Sequence, residues 1–142
     1  MGVTSSLKNN SLTVVPSHLE KMARLFRAPV IASLATVSPA GQPQSSPLWV
    51  KFDDGEVLFS TAANRLKVRY MLINPRVSLL AWDPEVPGSY IEVRGTASMS
   101  SEGAMELIDE LSLAYRGTHW VPQPDETRVL VRVTPTKTFS RA

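Results

Sequence analysis

The chain has 142 residues, of which 15 are basic and 13 acidic, giving a formal charge of +2. Its length suits one domain with a real core, and no run of 18 apolar residues is present to span a membrane. With no cysteine it has no disulfide framework, no thiolate metal site and no cysteine nucleophile. That composition fits a reducing cytoplasm, and the N-terminus shows no secretory pattern. The excess of bases is small and forms no dense basic face with interleaved aromatics, which argues against nucleic acid as a partner.

Residues 1–16 are polar and aperiodic and are expected to form a mobile tail, leaving 17–142 as a single domain. Ser17 and Glu20 have capping-box spacing. Leu19, Met22, Ala23 and Phe26 follow at helical intervals, so a helix is expected over about 18–27, ended by Pro29. The texture then changes to strands. Val30–Val37 is β-branched and apolar, and Ser38–Gly41 is a turn. Pro43–Phe52 reads as a second strand whose prolines mark an edge or a bulge. Asp53-Asp54-Gly55 is a hairpin turn, and Glu56–Thr61 returns as the third strand. A helix over about 65–73 places Leu66, Tyr70 and Ile73 inward, and Pro75 closes it. Arg76–Trp82 and Ser89–Met99 are the next strands. Ser100 or Ser101 caps a helix of about 102–115 with Met105, Ile108, Leu111 and Tyr115 inward. An irregular loop, Gly117–Thr127, leads to the alternating strand Arg128–Thr134. Six strands joined mostly by short turns predict a mainly β, antiparallel barrel flanked by helices.

The charge is distributed unevenly. Arg65, Lys67, Arg69 and Arg76 fall between Glu56 and Asp83, where no acidic residue occurs, which leaves 11 basic against 13 acidic residues elsewhere. Three of these cations stand at the start of the expected helix, with Asn64 as its N-cap. The helix dipole disfavours a cation there by about 0.3–1 kcal/mol, and a bound anion would offset that cost. The alternative is an ordinary solvated helix face.

Ser45, Ser46 and Trp49 could line a wall for a flat ring, or simply belong to a strand. Glu92 and Arg94 share one strand face, where pairing is the simpler reading and a general base the bolder one. His18 reads as a surface residue, and His119 has no partner at a recognisable motif spacing. No hydrolase triad, Walker loop, dinucleotide fingerprint or metal cluster is present in the sequence.

Taken in order, Ala32–Thr36, Gly41–Trp49, Phe59-Ser60-Thr61, Arg65-Leu66-Lys67-Val68-Arg69, Asn74–Ser78 and Tyr90–Gly95 resemble the pyridoxamine-phosphate-oxidase-like split β-barrel superfamily. More narrowly, they are similar to its actinobacterial deazaflavin-dependent reductases, which use coenzyme F420. The similarity spans about residues 18–134. It implies a homodimer with two cofactor sites at the subunit interface. Arg65, Lys67 and Arg69 would hold the cofactor phosphate and its acidic tail. The Pro47–Lys51 strand, with Leu48 and Trp49, would run along the deazaflavin ring, and Ser60 and Thr61 would contact the ring or ribityl chain. The partner would close the site with residues near Trp82 and Ser89–Tyr90. Arg76, beyond Pro75, would be structural.

The basic strand segment typical of FMN-using members is not found clearly, which favours F420 over FMN as the cofactor. Residues for a pyridoxamine phosphate substrate are not recognisable. The expected activity is hydride transfer from reduced F420 to a small electrophile such as an enone or quinone, with solvent able to supply the proton. An FMN-dependent oxidoreductase, or a flavin- or haem-binding protein without turnover, is the alternative.

Overall fold

Alternation of apolar and polar residues builds the sheet. In β1 (Ala32–Val37), Ala32, Leu34 and Thr36 are buried while Ser33, Ala35 and Val37 face outward, the period-two pattern of a half-buried strand. The computed structural model describes residues 14–142. The tail expected over 1–16 lies largely outside the described residues, but Val14 at its end is buried.

Around β1 the chain adds β2 (Pro43–Leu48), β3 (Lys51–Asp53), β4 (Glu56–Ala62), β5 (Arg76–Trp82), β6 (Tyr90–Ser100) and β7 (Arg128–Arg141). All pairings are antiparallel, in the order β2-β1-β5-β6-β7-β4-β3. The two edge strands are consecutive in sequence and joined through Trp49 and Val50, so the seven-stranded sheet curls into a half-barrel. Among the described residues three helices accompany it: α1 (Pro16–Leu25), α2 (Leu66–Ile73) and α3 (Ala104–Arg116).

The concave side holds the main core. Met22, Leu25 and Phe26, from α1 and the residue that follows it, pack with Leu34, Phe59, Leu79, Ile91, Val93, Val131 and Val133. A second, smaller core lies on the other face of β4, where Leu58 meets Leu107 and Leu111 of α3. That sandwich makes β4 buried on both faces and brings α3 beside the end of β2.

The structure revises several local expectations. Pro43–Phe52 is two strands, broken at Trp49–Val50 where the sheet turns from one edge to the other. The final strand continues through Pro135 to Arg141. Pro135 lies opposite Gly95, where the β6–β7 register shifts, so its missing N–H falls at a bulge rather than in a regular ladder. A side chain on Gly95 would collide with the carbonyl of Thr134.

Helix ends differ too. Helix α1 starts at Pro16 with Val15 as N-cap and no capping side chain, so the Ser17–Glu20 box does not form. Helix α2 is capped by Arg65, not Asn64. It buries Lys67, Val68 and Met71, whereas Leu66 is exposed, Ile73 is 65% exposed and Tyr70 is only half-buried. Apolar residues cover most of this short helix, so spacing alone chose the wrong face. Helix α3 starts after Gly103, which sits at φ 81 in the left-handed region; Ser100 Oγ instead accepts from Glu102 N at 3.1 Å. Ile108 and Leu111 are inward as expected, but Met105 is exposed.

Candidate functional site

Where β2 ends, the chain swings toward α3, and Trp49 lands on Tyr115. Their rings stack 5.5 Å apart at 11°. Trp120 meets Trp49 edge-on at 6.4 Å. The Tyr115 hydroxyl donates to the Val30 carbonyl at 2.7 Å and accepts from Val50 N at 3.1 Å, which fixes the stack to the backbone on both sides. Burial raises the Tyr115 pKa, against the hydrogen bond from Val50.

This aromatic group borders a cavity of about 480 Å³ lined by Ile31, Pro47, Leu48, Trp49, Ser60, Thr61, Arg65, Lys67, Ile108, Trp120 and Arg128. The volume is in the range of small-molecule and cofactor sites. Arg65 and Lys67 come from the start of α2, and Arg128 from the start of β7, where it pairs in register with Ala62. Lys67 is 7% exposed. Its pKa is lowered by burial first, then by Arg65 and Arg128. Neither Lys67 nor Arg65 forms an ion pair with any described residue. Burying an ammonium beside two other cations costs free energy, and a negative ligand would offset it.

Arg128 differs from the other two. It pairs with Glu126 at 2.7 Å, with both side chains nearly buried, and its Nε and Nη2 donate to Ser60 Oγ and Ser60 O, each at 3.0 Å. Ser60 Oγ in turn donates to Ala104 O at 2.8 Å, so this hydroxyl is engaged within the protein. Glu126 also accepts from Gln123 N at 2.8 Å and from Trp120 Nε1 at 3.0 Å. The Gln123 bond is the largest cause of its lowered pKa, followed by Arg128 and Trp120. Asp109 anchors the loop's other end, accepting from Trp120 N at 2.8 Å and contacting His119 Nδ1 at 3.0 Å. Those contacts, the Trp120 N–H first, lower the Asp109 pKa.

Seven residues singled out from sequence therefore meet in one cavity: Pro47, Leu48, Trp49, Ser60, Thr61, Arg65 and Lys67. Asn64 lines a neighbouring cavity that shares Trp120 and Arg128, and Arg69 is exposed one helical turn beyond Arg65. Lys51 points away, pairing with Glu110 at 2.8 Å. Trp82 and Tyr90 line a separate cavity of about 580 Å³ on the outer sheet face. Ser89 is buried, with its N–H donated to Val86 O at 2.8 Å. On that face Glu92 accepts from Ser78 Oγ at 2.7 Å and Arg94 Nε at 3.1 Å, the structural pairing rather than a poised base. His18 is half-buried, its Nδ1 2.7 Å from Thr138 Oγ1.

Ile31, Ile108, Trp120 and Arg128 also line the 480 Å³ cavity; none of them was expected there from the sequence, although Ile108 was expected on the inward face of its helix. Trp120, next to a histidine in a loop rich in proline and charge, carried the only local hint. Among the described residues no group of three or more potential ligands could hold a metal, and no helix is long and apolar enough to cross a membrane.

Solved structures share this architecture. One, an "F420 Reductase", is 29% identical with a TM-score of 0.73, covering 82% of this chain and 94% of its own. A conserved hypothetical protein from Mycobacterium tuberculosis is 25% identical, with a TM-score of 0.72 and coverage of 90% and 85%. A pyridoxamine 5'-phosphate oxidase-related, FMN binding protein from Nostoc punctiforme, 18% identical with a TM-score of 0.63 and coverage of 89% and 84%, shares the fold. No curated protein matches the chain. The family model described as pyridoxamine 5'-phosphate oxidase matches residues 19–142, and the chain belongs to that family.

Proposed function

We propose that this protein is a coenzyme F420-dependent oxidoreductase whose cofactor lies in the 480 Å³ cavity. One observation carries the reading: two cations without an ionic partner among the described residues, Arg65 and the nearly buried Lys67, share a cavity with the apolar Pro47–Trp49 wall. That donor set fits a cofactor joining a flat ring to a phosphoryl group. The relative named as an F420 reductase supports the deazaflavin over FMN.

Arg65 and Lys67 would bind the phosphoryl group, and Arg69 the acidic tail beyond it. Pro47, Leu48 and Trp49 would flank the ring, with Trp49 held by Tyr115. Thr61 would offer its hydroxyl, whereas Ser60 would act by holding Arg128. When bound, the reduced ring supplies a hydride to a small electrophilic substrate such as an enone or quinone. No side chain is assigned as proton donor, and solvent would serve. The site would be completed in a homodimer, where Trp82 (46% exposed), Ser89 and Tyr90 of a second copy close it. A single domain over 17–142, preceded by a tail, in the cytoplasm completes the reading.

Titrating purified protein with F420 and following its fluorescence tests this. Quenching that saturates at micromolar concentration is expected, and no binding in that range would refute it. A yellow protein that retains a flavin absorbance band would instead assign the cavity to FMN.

A further inference from the structure

Three cations approach the cavity, but they are not equivalent. Arg65 and Lys67 have no ionic partner among the described residues. Arg128 has committed three donors, with Nη1 on Glu126 Oε2 at 2.7 Å, Nε on Ser60 Oγ at 3.0 Å and Nη2 on Ser60 O at 3.0 Å. Its guanidinium also stacks 4.9 Å from the Trp120 ring centroid. The partner carboxylate is as deeply placed as the cation, with side-chain exposures of 10% for Arg128 and 6% for Glu126, so solvent does little to screen the pair. Arg128 nevertheless stands close enough to Lys67 to depress its proton affinity. A change in the charge of the pair would therefore be felt at the anion-binding end.

We propose that Glu126 sets the charge of the anion this cavity accepts: by neutralising Arg128 it leaves Arg65 and Lys67 to hold a single phosphoryl group and disfavours a diphosphate. The inference rests on reading the cavity as an anion site, and it adds a selectivity residue that does not touch the ligand. A mononucleotide-type phosphate monoester matches two positive charges, and the single charge of a deazaflavin-type phosphodiester lies within them, its acidic tail falling to Arg69. A terminal diphosphate carries about one more negative charge than a phosphate monoester, more than Arg65 and Lys67 can balance. It would also lie near Asp125 and Glu126, which line the adjoining cavity. Glu126 is a positioning residue as well, since it holds Trp120 and Gln123, so its charge has to be tested apart from its shape.

Glu126→Gln keeps an acceptor oxygen for Trp120 and removes the charge. Calorimetric titration with inorganic phosphate and with pyrophosphate, at fixed ionic strength, is the measurement. Wild type is expected to bind pyrophosphate no more tightly than phosphate, despite its greater negative charge. Glu126→Gln should bind pyrophosphate about tenfold tighter than wild type, the order expected for one added unit charge in a partly screened site. Phosphate should change by less than about threefold. The double variant Glu126→Gln/Arg128→Gln should restore the wild-type ratio, a result that loss of loop packing would not give. An unchanged ratio in Glu126→Gln, or no binding of either anion to wild type, overturns the proposal.

If Glu126→Gln does not fold, Arg128→Gln gives the reverse readout. Glu126 would then be unpaired beside the cavity, and pyrophosphate should weaken about tenfold while phosphate changes by less than about threefold; an unchanged ratio overturns the proposal. F420 binding measured in parallel separates the two readings. Anion discrimination without F420 binding defeats the cofactor assignment alone, and F420 binding with no change in discrimination defeats this proposal alone.

Discussion

Lys67 joins local structure to function at the scale of one side chain. It lies on the buried face of α2, 7% exposed, with Arg65 and Arg128 nearby. Its native pKa is below the ordinary 10.5, so between those two values the unfolded chain binds more protons than the folded one. Stability should therefore rise with pH across that window and be lost as pH falls through the native pKa. Urea unfolding of wild type and Lys67→Met across the alkaline range checks this: the wild-type slope should be absent in the variant. A ligand anion favours the charged form, so anion affinity should fall as pH rises through the same pKa, and Lys67→Met should lose at least about tenfold in cofactor affinity, the scale of one charge-assisted contact.

The elements that shape the cavity are held by a few cross-links. Tyr115 ties α3 to the backbone at Val30 and Val50, next to the β2–β3 break. Tyr115→Phe should cost about 1–2 kcal/mol, since Val30 O and Val50 N lose their partner, and should also weaken ring binding by loosening Trp49; chemical denaturation and F420 titration measure the two effects. The loop Gly117–Thr127 depends on Asp109 and Glu126, both with lowered pKa values. A depressed carboxylate stabilises the fold above its unfolded pKa, and that contribution disappears as pH falls through the native value. An acid titration of Trp120 fluorescence, with Trp49 and Trp82 replaced by Phe, should show the loop releasing below the ordinary carboxylate range. A transition at or above the ordinary Glu pKa would contradict this.

What the sequence revealed follows the range of the interactions. The strands were legible because burial alternates along them, as Ala32, Leu34 and Thr36 do, and Arg65 and Lys67 were legible because they lie in one local segment. Arg128 was not, because its place beside Ser60 depends on the β4–β7 register that sets it opposite Ala62. Trp120 was placed by carboxylates on α3 and at the end of its own loop. The continuation of β7 was hidden by Pro135, whose bulge needs Gly95 on the facing strand. Trp82, Ser89 and Tyr90 lie apart from the 480 Å³ cavity, at the point where the end of β5 pairs with the start of β6.

At the scale of the whole molecule, the outer face of β1, β5 and β6 carries that second cavity with an exposed Trp82. If a second copy covers it, light scattering should give a dimer, and Trp82→Asp should shift the population to monomer and reduce F420 affinity together. A wild-type monomer that binds F420 at full affinity would contradict the proposed assembly.

In the proposed function Arg65 and Lys67 hold the phosphoryl group of a deazaflavin cofactor. Fluorescence titration of F420 into wild type and an Arg65→Ala/Lys67→Ala variant, each shown to be folded by thermal melting, tests it most directly. Saturable micromolar binding by wild type and a loss of about a hundredfold or more in the variant is the expected result. Equal affinity in the two proteins, or no binding by wild type, would contradict it.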